Sequence, residues 1–198
     1  MRVFLKAMAF GLVFVAMTAL AAPAAYALDP DVPWKYVEAG YLNVDVDNLD
    51  ESGDNYFVGA AFNFGKHFHI IGQYTNGELA PDFDFTQTRI GFGWHGLLGD
   101  RADVVGEAYW MQQKVDAPGA SSETDDGYRL TAGVRFVPIK MFEIDGFVHY
   151  NDIADESDTS LEARGIINIW RLGFGASYEK FDESDQWNGF VRFTFGRR

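Results

Sequence analysis

Ten short segments of this chain alternate apolar and polar residues. Eight of them carry a Tyr or Trp at the same end and on the same face: Tyr41, Tyr56, Tyr74, Trp110, Tyr128, Tyr150, Tyr178 and Trp187. Period-two alternation specifies strands. Aromatics recurring at one level of successive strands read as an interfacial girdle around a transmembrane barrel. The solvent at that level is then neither water nor a protein core.

The first residues carry Arg2 and Lys6, an apolar stretch from Ala7 to Leu20, and the small-residue exit Ala25-Tyr26-Ala27. This is the layout of a secretory signal peptide cleaved after Ala27. The predicted organisation is a signal peptide over 1–27 and one barrel domain over 28–198. No later run reaches the roughly 18 apolar residues of a spanning helix. Cleavage removes two bases and no acid, taking the formal net charge from −13 to −15, which excludes nucleic acid as a partner. With no cysteine, no disulfide framework holds the chain.

Alternation predicts strands near 34–46, 55–65, 67–76, 83–95, 102–115, 126–137, 142–152, 159–169, 172–181 and 187–195. Connections at one end are short (Lys66, 96–101, 138–141, 170–171), and those at the other are longer and polar. Short periplasmic turns and long outer loops are the pattern of outer-membrane barrels. The fold class expected is therefore all-β, an antiparallel up-and-down transmembrane barrel of ten strands, with eight as the alternative.

Parity assigns the faces. Tyr128, Leu130, Ala132, Val134 and Phe136 oppose Arg129, Thr131, Gly133 and Arg135; Arg near mid-depth in lipid costs roughly 2–4 kcal/mol, so the charged face turns inward. A soluble barrel or sandwich would invert this arrangement. The charge network expected in the lumen is Glu38, Arg89, Glu107, Arg129, Arg135, Glu143, Asp145, His149, Glu162, Arg164, Glu179 and Arg192. Hairpin register pairs Arg135 with Glu143, Arg129 with His149, and Arg89 with Glu107. Such pairs read first as a packed polar core that fixes register, and second as a narrow solute or ion path.

The outer loops gather 19 of the 29 acids, while bases such as Lys66, Arg101, Lys140 and Arg171 lie at the opposite end. An acidic crown keeps the exposed end soluble, attracts cations, and can be bridged by divalent ions to anionic lipopolysaccharide. No dedicated metal site, cofactor or catalytic set is expected. His67, His69 and His95 fall at the short-turn end, and exposed serines such as Ser52 and Ser160 at the other. His69 reads as a turn residue, and His149 as a partner of Arg129 or a polar filler.

The strings Tyr36 to Tyr41 (YVEAGY), Arg89 to Trp94 (RIGFGW), Arg101 to Val105 (RADVV) and the terminal VRFTF resemble the OmpA-like superfamily of small outer-membrane β-barrels, in particular its barrel-only, porin-like members. The resemblance implies an integral protein of a Gram-negative outer membrane, in contact with lipid and lipopolysaccharide and inserted by the barrel-assembly machinery. It implies no peptidoglycan-binding domain. The chain departs from the family in ending Gly196-Arg197-Arg198 after Phe195 instead of on an aromatic. Three roles stay open: a structural or surface-interaction barrel, a narrow cation-preferring channel, and a lipid A or peptide hydrolase. Oligomeric state is not legible.

Overall fold

The computed structural model describes residues 34–46, 52–80, 83–116, 119, 122–154 and 156–195. The signal-peptide segment, residues 28–33, several crown acids (Asp47, Asp50, Glu51, Asp82 and Asp155) and the tail from Gly196 lie outside the described residues. Ten strands follow in order: β1 (Tyr36–Val46), β2 (Ser52–Phe64), β3 (Phe68–Ala80), β4 (Phe83–Leu97), β5 (Ala102–Asp116), β6 (Glu123–Ile139), β7 (Phe142–Ile153), β8 (Glu156–Ile169), β9 (Leu172–Lys180) and β10 (Ser184–Thr194). Each pairs antiparallel with its sequence neighbours, and β1 pairs with β10, so the sheet closes into a barrel. Closure leaves no strand edge unpaired, the condition for a sheet to cross lipid.

Alternation decides which face meets which solvent. In β10, Trp187 and Val191 are exposed, as is Phe195 just after it, while Phe190, Arg192 and Thr194 are buried. In β2, Tyr56, Val58, Phe62 and Phe64 are exposed, and in β8 Leu161, Ile167 and Ile169 are. An apolar belt encircling a closed barrel far exceeds the isolated patches that soluble monomers leave in water. No helix among the described residues is long and apolar enough to cross a membrane. The chain crosses with strands.

The strands run further at the outer end than alternation suggested, leaving residues 47–51, 81–82, 117–122, 154–155 and 181–183 between them. Expected contrasts in connection length are correspondingly smaller. Polar residues at those ends still pair through their backbones, as in Asp84↔Asp116 and Asp152↔Ser157, so pairing continues where the hydrophobic pattern stops. Most described crown acids therefore stand on strand ends.

At the short-turn end the registers differ from the simplest hairpin centring by four residues between β4 and β5 and by two between β6 and β7. Leu97 pairs with Asp103 across a turn whose Gly99 has φ 81°, a backbone that favours glycine. Phe136 pairs with Ile144, with an irregularity before Ile139↔Phe142. Pro138 lies inside that irregularity, where its missing N–H interrupts no ladder bond. An even slip changes partners but keeps every side chain on its face.

The outward belt yields a test. Val191 is the central outward residue of β10 and 45% exposed. Val191→Arg is expected to destabilise the barrel by about 2–4 kcal/mol in lipid bilayers, and Val191→Leu by less than about 0.5 kcal/mol, measured by reversible urea unfolding into liposomes.

Candidate functional site in the barrel lumen

All twelve charged or ionisable residues expected inside sit on inward strand positions. At the short-turn end, Trp34 precedes β1 and lies across the bore. Its ring stacks against those of both His69 and His95, with centroids 4.3 Å from each, and the two imidazoles lie 5.7 Å from one another. The Arg135 guanidinium lies 4.3 Å from the Trp34 ring centre, a cation–π contact. Trp34 Nε1 donates to Asp103 at 2.8 Å, which satisfies the indole N–H in a buried setting. His69 occupies β3 and not a turn: it is buried, and its Nε2 meets Glu107 at 2.8 Å. Tyr109 donates to the other Glu107 oxygen at 2.6 Å.

One step further in, Arg192 of β10 holds Glu38 of β1 through Nε at 2.9 Å and reaches across the bore to Glu143 of β7 at 3.3 Å. Glu143 also accepts from Arg135, and Asp145 lies 3.8 Å from the same guanidinium. The Arg192 guanidinium stacks 4.1 Å from the Tyr36 ring. Toward the outer end, Arg129 pairs with Glu179 at 2.8 Å and Arg164 with Glu162 at 3.1 Å. His149 bridges Thr131 at 2.9 Å and Glu162 at 3.2 Å. His149, Glu162 and Glu179 could in principle converge on a metal ion, but both carboxylates are already committed to arginines.

Of the three expected pairings, Arg135 with Glu143 forms as an ion pair and the other two do not form. Arg135 stands opposite Asp145, although its long side chain still reaches Glu143. Arg129 stands opposite Asn151 and binds Glu179. Arg89 stands opposite Gln73 and Met111, whereas Glu107 stands opposite Gly93, so those two charges do not meet. Ser160 is likewise not an exposed loop serine: it is buried in β8 opposite His149. Its hydroxyl donates to Glu179, so His149 does not activate it as a nucleophile.

Sequence reasoning missed Trp34, Tyr36, His95, Asp103 and Tyr109. Parity contained the signal for most of them, since Trp34 and Tyr36 continue inward from Glu38, and Asp103 and Tyr109 flank Glu107 at even spacing. Uncharged aromatics gave no reason to separate them from lipid-facing ones.

The eight girdle aromatics all occupy outward positions at one end. Tyr41 lies against Tyr56 with ring centroids 5.7 Å apart, Tyr178 against Trp187 at 4.5 Å, and Tyr128 against Tyr150 at 6.1 Å. The two strands lacking such a residue have regular register there, and place Thr88 opposite Tyr74 and Thr159 opposite Tyr150. Hydroxyls of Tyr128 and Tyr150 both donate to Asp152 at 3.3 Å, and Tyr41 donates to Asp54.

The lumen network predicts a stability result. Arg129→Met leaves Glu179 buried with the Ser160 hydroxyl alone and should cost about 3–5 kcal/mol. Arg129→Met/Glu179→Met should cost less than that single change, as read by unfolding of both variants in bilayers.

No protein-family model matches the chain, and no curated protein sequence matches it. Among solved structures it is similar to the KdgM porin in complex with disordered oligogalacturonate, at TM-score 0.48 and 9% identity over 81% of this chain and 99% of that one. It is also similar to the Ail outer-membrane protein of Yersinia pestis in a phospholipid bilayer nanodisc, at TM-score 0.46 and 14% identity over 83% and 100%. A third likeness is to neisserial surface protein A, at TM-score 0.44 and 18% identity over 81% and 96%. Likeness this low says nothing about what the chain does. The architecture rests on the chain itself: ten antiparallel strands closed on one another, apolar outside and charged inside, form an integral membrane β-barrel.

Proposed function

We propose that this is a non-enzymatic integral outer-membrane protein of a Gram-negative bacterium, exported by a signal peptide cleaved after Ala27. Its lumen is architectural, and its acidic outer rim mediates surface interaction or envelope integrity. The observation that carries this reading is the filling of the bore. The cavity left among the lumenal side chains is about 90 Å³. Trp34, stacked against His69 and His95 and in cation–π contact with Arg135, fills the short-turn end. Interlocked ion pairs fix strand register and occupy space; they leave no wide aqueous path.

The rim supports the surface half of the reading. Asp54, Asp116, Asp126, Asp152 and Asp185 bond to Tyr, Asn, Gln or Lys neighbours just beyond the aromatic girdle. Their carboxylates stand at headgroup level, where divalent cations can bridge them to lipopolysaccharide phosphates. Outer-membrane lipid is the immediate partner, and the barrel-assembly machinery inserts the chain.

Planar-bilayer recording tests the choice between architecture and transport. Purified protein is expected to give no stepwise current. Steps that favour cations and change in size on Glu107→Ala would replace this reading with that of a narrow cation-preferring channel. The rim is tested separately: chelation of divalent ions should weaken co-purification with lipopolysaccharide, an effect that Asp152→Asn/Asp126→Asn should reproduce in part.

A further inference from the structure

Four of the five lumenal arginines are neutralised inside the barrel: Arg129 by Glu179, Arg135 by Glu143, Arg164 by Glu162 and Arg192 by Glu38. Arg89 is not. Among the described residues no carboxylate lies within salt-bridge distance of its guanidinium. Its side chain instead lines the lumenal cavity. We propose that Arg89 and the polar cavity around it bind one small oxyanion, of the carboxylate or phosphate class.

The wall of the cavity offers Arg89 no counterion. Four carboxylates line it: Glu38, Glu107, Glu162 and Glu179. Glu38 is held by Arg192, Glu107 by His69 and Tyr109, Glu162 by Arg164 and His149, and Glu179 by Arg129 and Ser160. Each is engaged by two donors or by a paired guanidinium, and taking one for Arg89 would expose another charge. An arginine stays protonated at any physiological pH, so the site cannot relieve itself by losing a proton. Arg89 is half-buried, and a bound anion supplies the partner that the cavity wall does not, because a charge drawn away from bulk water is less costly when paired and hydrogen-bonded.

The geometry selects the ligand class. A guanidinium presents parallel N–H donors in a fork that fits a carboxylate or phosphate edge in bidentate fashion. Gln186, from β10, lines the same cavity and adds an amide donor. At about 90 Å³ the cavity admits one ion of the size of acetate or phosphate and no oligosaccharide. The acidic rim sharpens this limit, since it opposes the approach of polyanions, whereas the charge felt by a small ion is screened beyond roughly 8 Å at physiological salt.

The test is a titration of isotopically labelled full-length protein in lipid nanodiscs with inorganic phosphate at constant ionic strength, following the arginine Nε–H resonances by NMR. One such resonance should shift saturably, and it should be the one missing in Arg89→Gln. That variant should bind phosphate at least about tenfold more weakly, the factor expected for losing a charge-assisted hydrogen bond. Arg89→Lys, which keeps the charge and the fold but loses the fork, should fall between the two and decides the matter if Arg89→Gln does not fold. A linear, unsaturable drift of all arginine resonances would mean general screening and would overturn the site. Saturable binding that survives Arg89→Gln, or is equal in Arg89→Lys and wild type, would overturn the role of the guanidinium. A silent bilayer recording and a positive titration are compatible, so the site stands or falls independently of the reading of the whole barrel.

Discussion

Everything in this molecule follows from the cost of placing charge or an unpaired peptide group in hydrocarbon. The peptide groups are satisfied by closing the sheet on itself, so β1 must meet β10. The charged side chains are then confined to the inside, where water is scarce and each must find a partner. Arginines and carboxylates in near-equal number are the answer to that confinement. They also fill the bore, because a guanidinium-carboxylate pair occupies volume that a barrel of this size would otherwise leave to water.

The same cost explains how much was legible in the sequence. Which side of the wall a residue faces depends only on parity, and parity survives an even slip of register. Arg129, Arg135, Glu143, Asp145, His149 and Glu162 are therefore on the face that alternation assigns them, although hairpin centring gives Arg129 the wrong partner. Partner choice depends on the geometry of turns, and local irregularity at Pro138 or the length of the turn around Gly99 changes it without leaving a hydrophobic trace. Arg89 and Glu107 show the consequence most plainly: both lie inward, on adjacent strands, and yet they do not meet.

Strand ends were the other illegible part. A segment such as Glu123 to Asp126 has no apolar alternation because both its faces are wet, but its backbone pairs as regularly as the rest. Hydrophobic periodicity reports the slab of lipid and not the length of the ladder. Buried aromatics were hidden for a related reason. Trp34 inside and Trp187 outside have the same composition signal, and parity with Glu38, together with the Asp103 partner of the indole N–H, separates them.

The bond between Glu38 and Arg192 joins residues 154 positions apart in sequence. Arg192 is synthesised long after Glu38 and must reach the sheet before the first strand has its second neighbour. Until then the growing sheet presents two raw edges, each able to pair with any other strand it meets. Closure is thus a late, non-local event of the kind that makes folding slow. The charge that staples the seam also times it: a barrel missing its last strand has Glu38 stranded without Arg192, so incomplete assemblies differ from finished ones in energy as well as in shape.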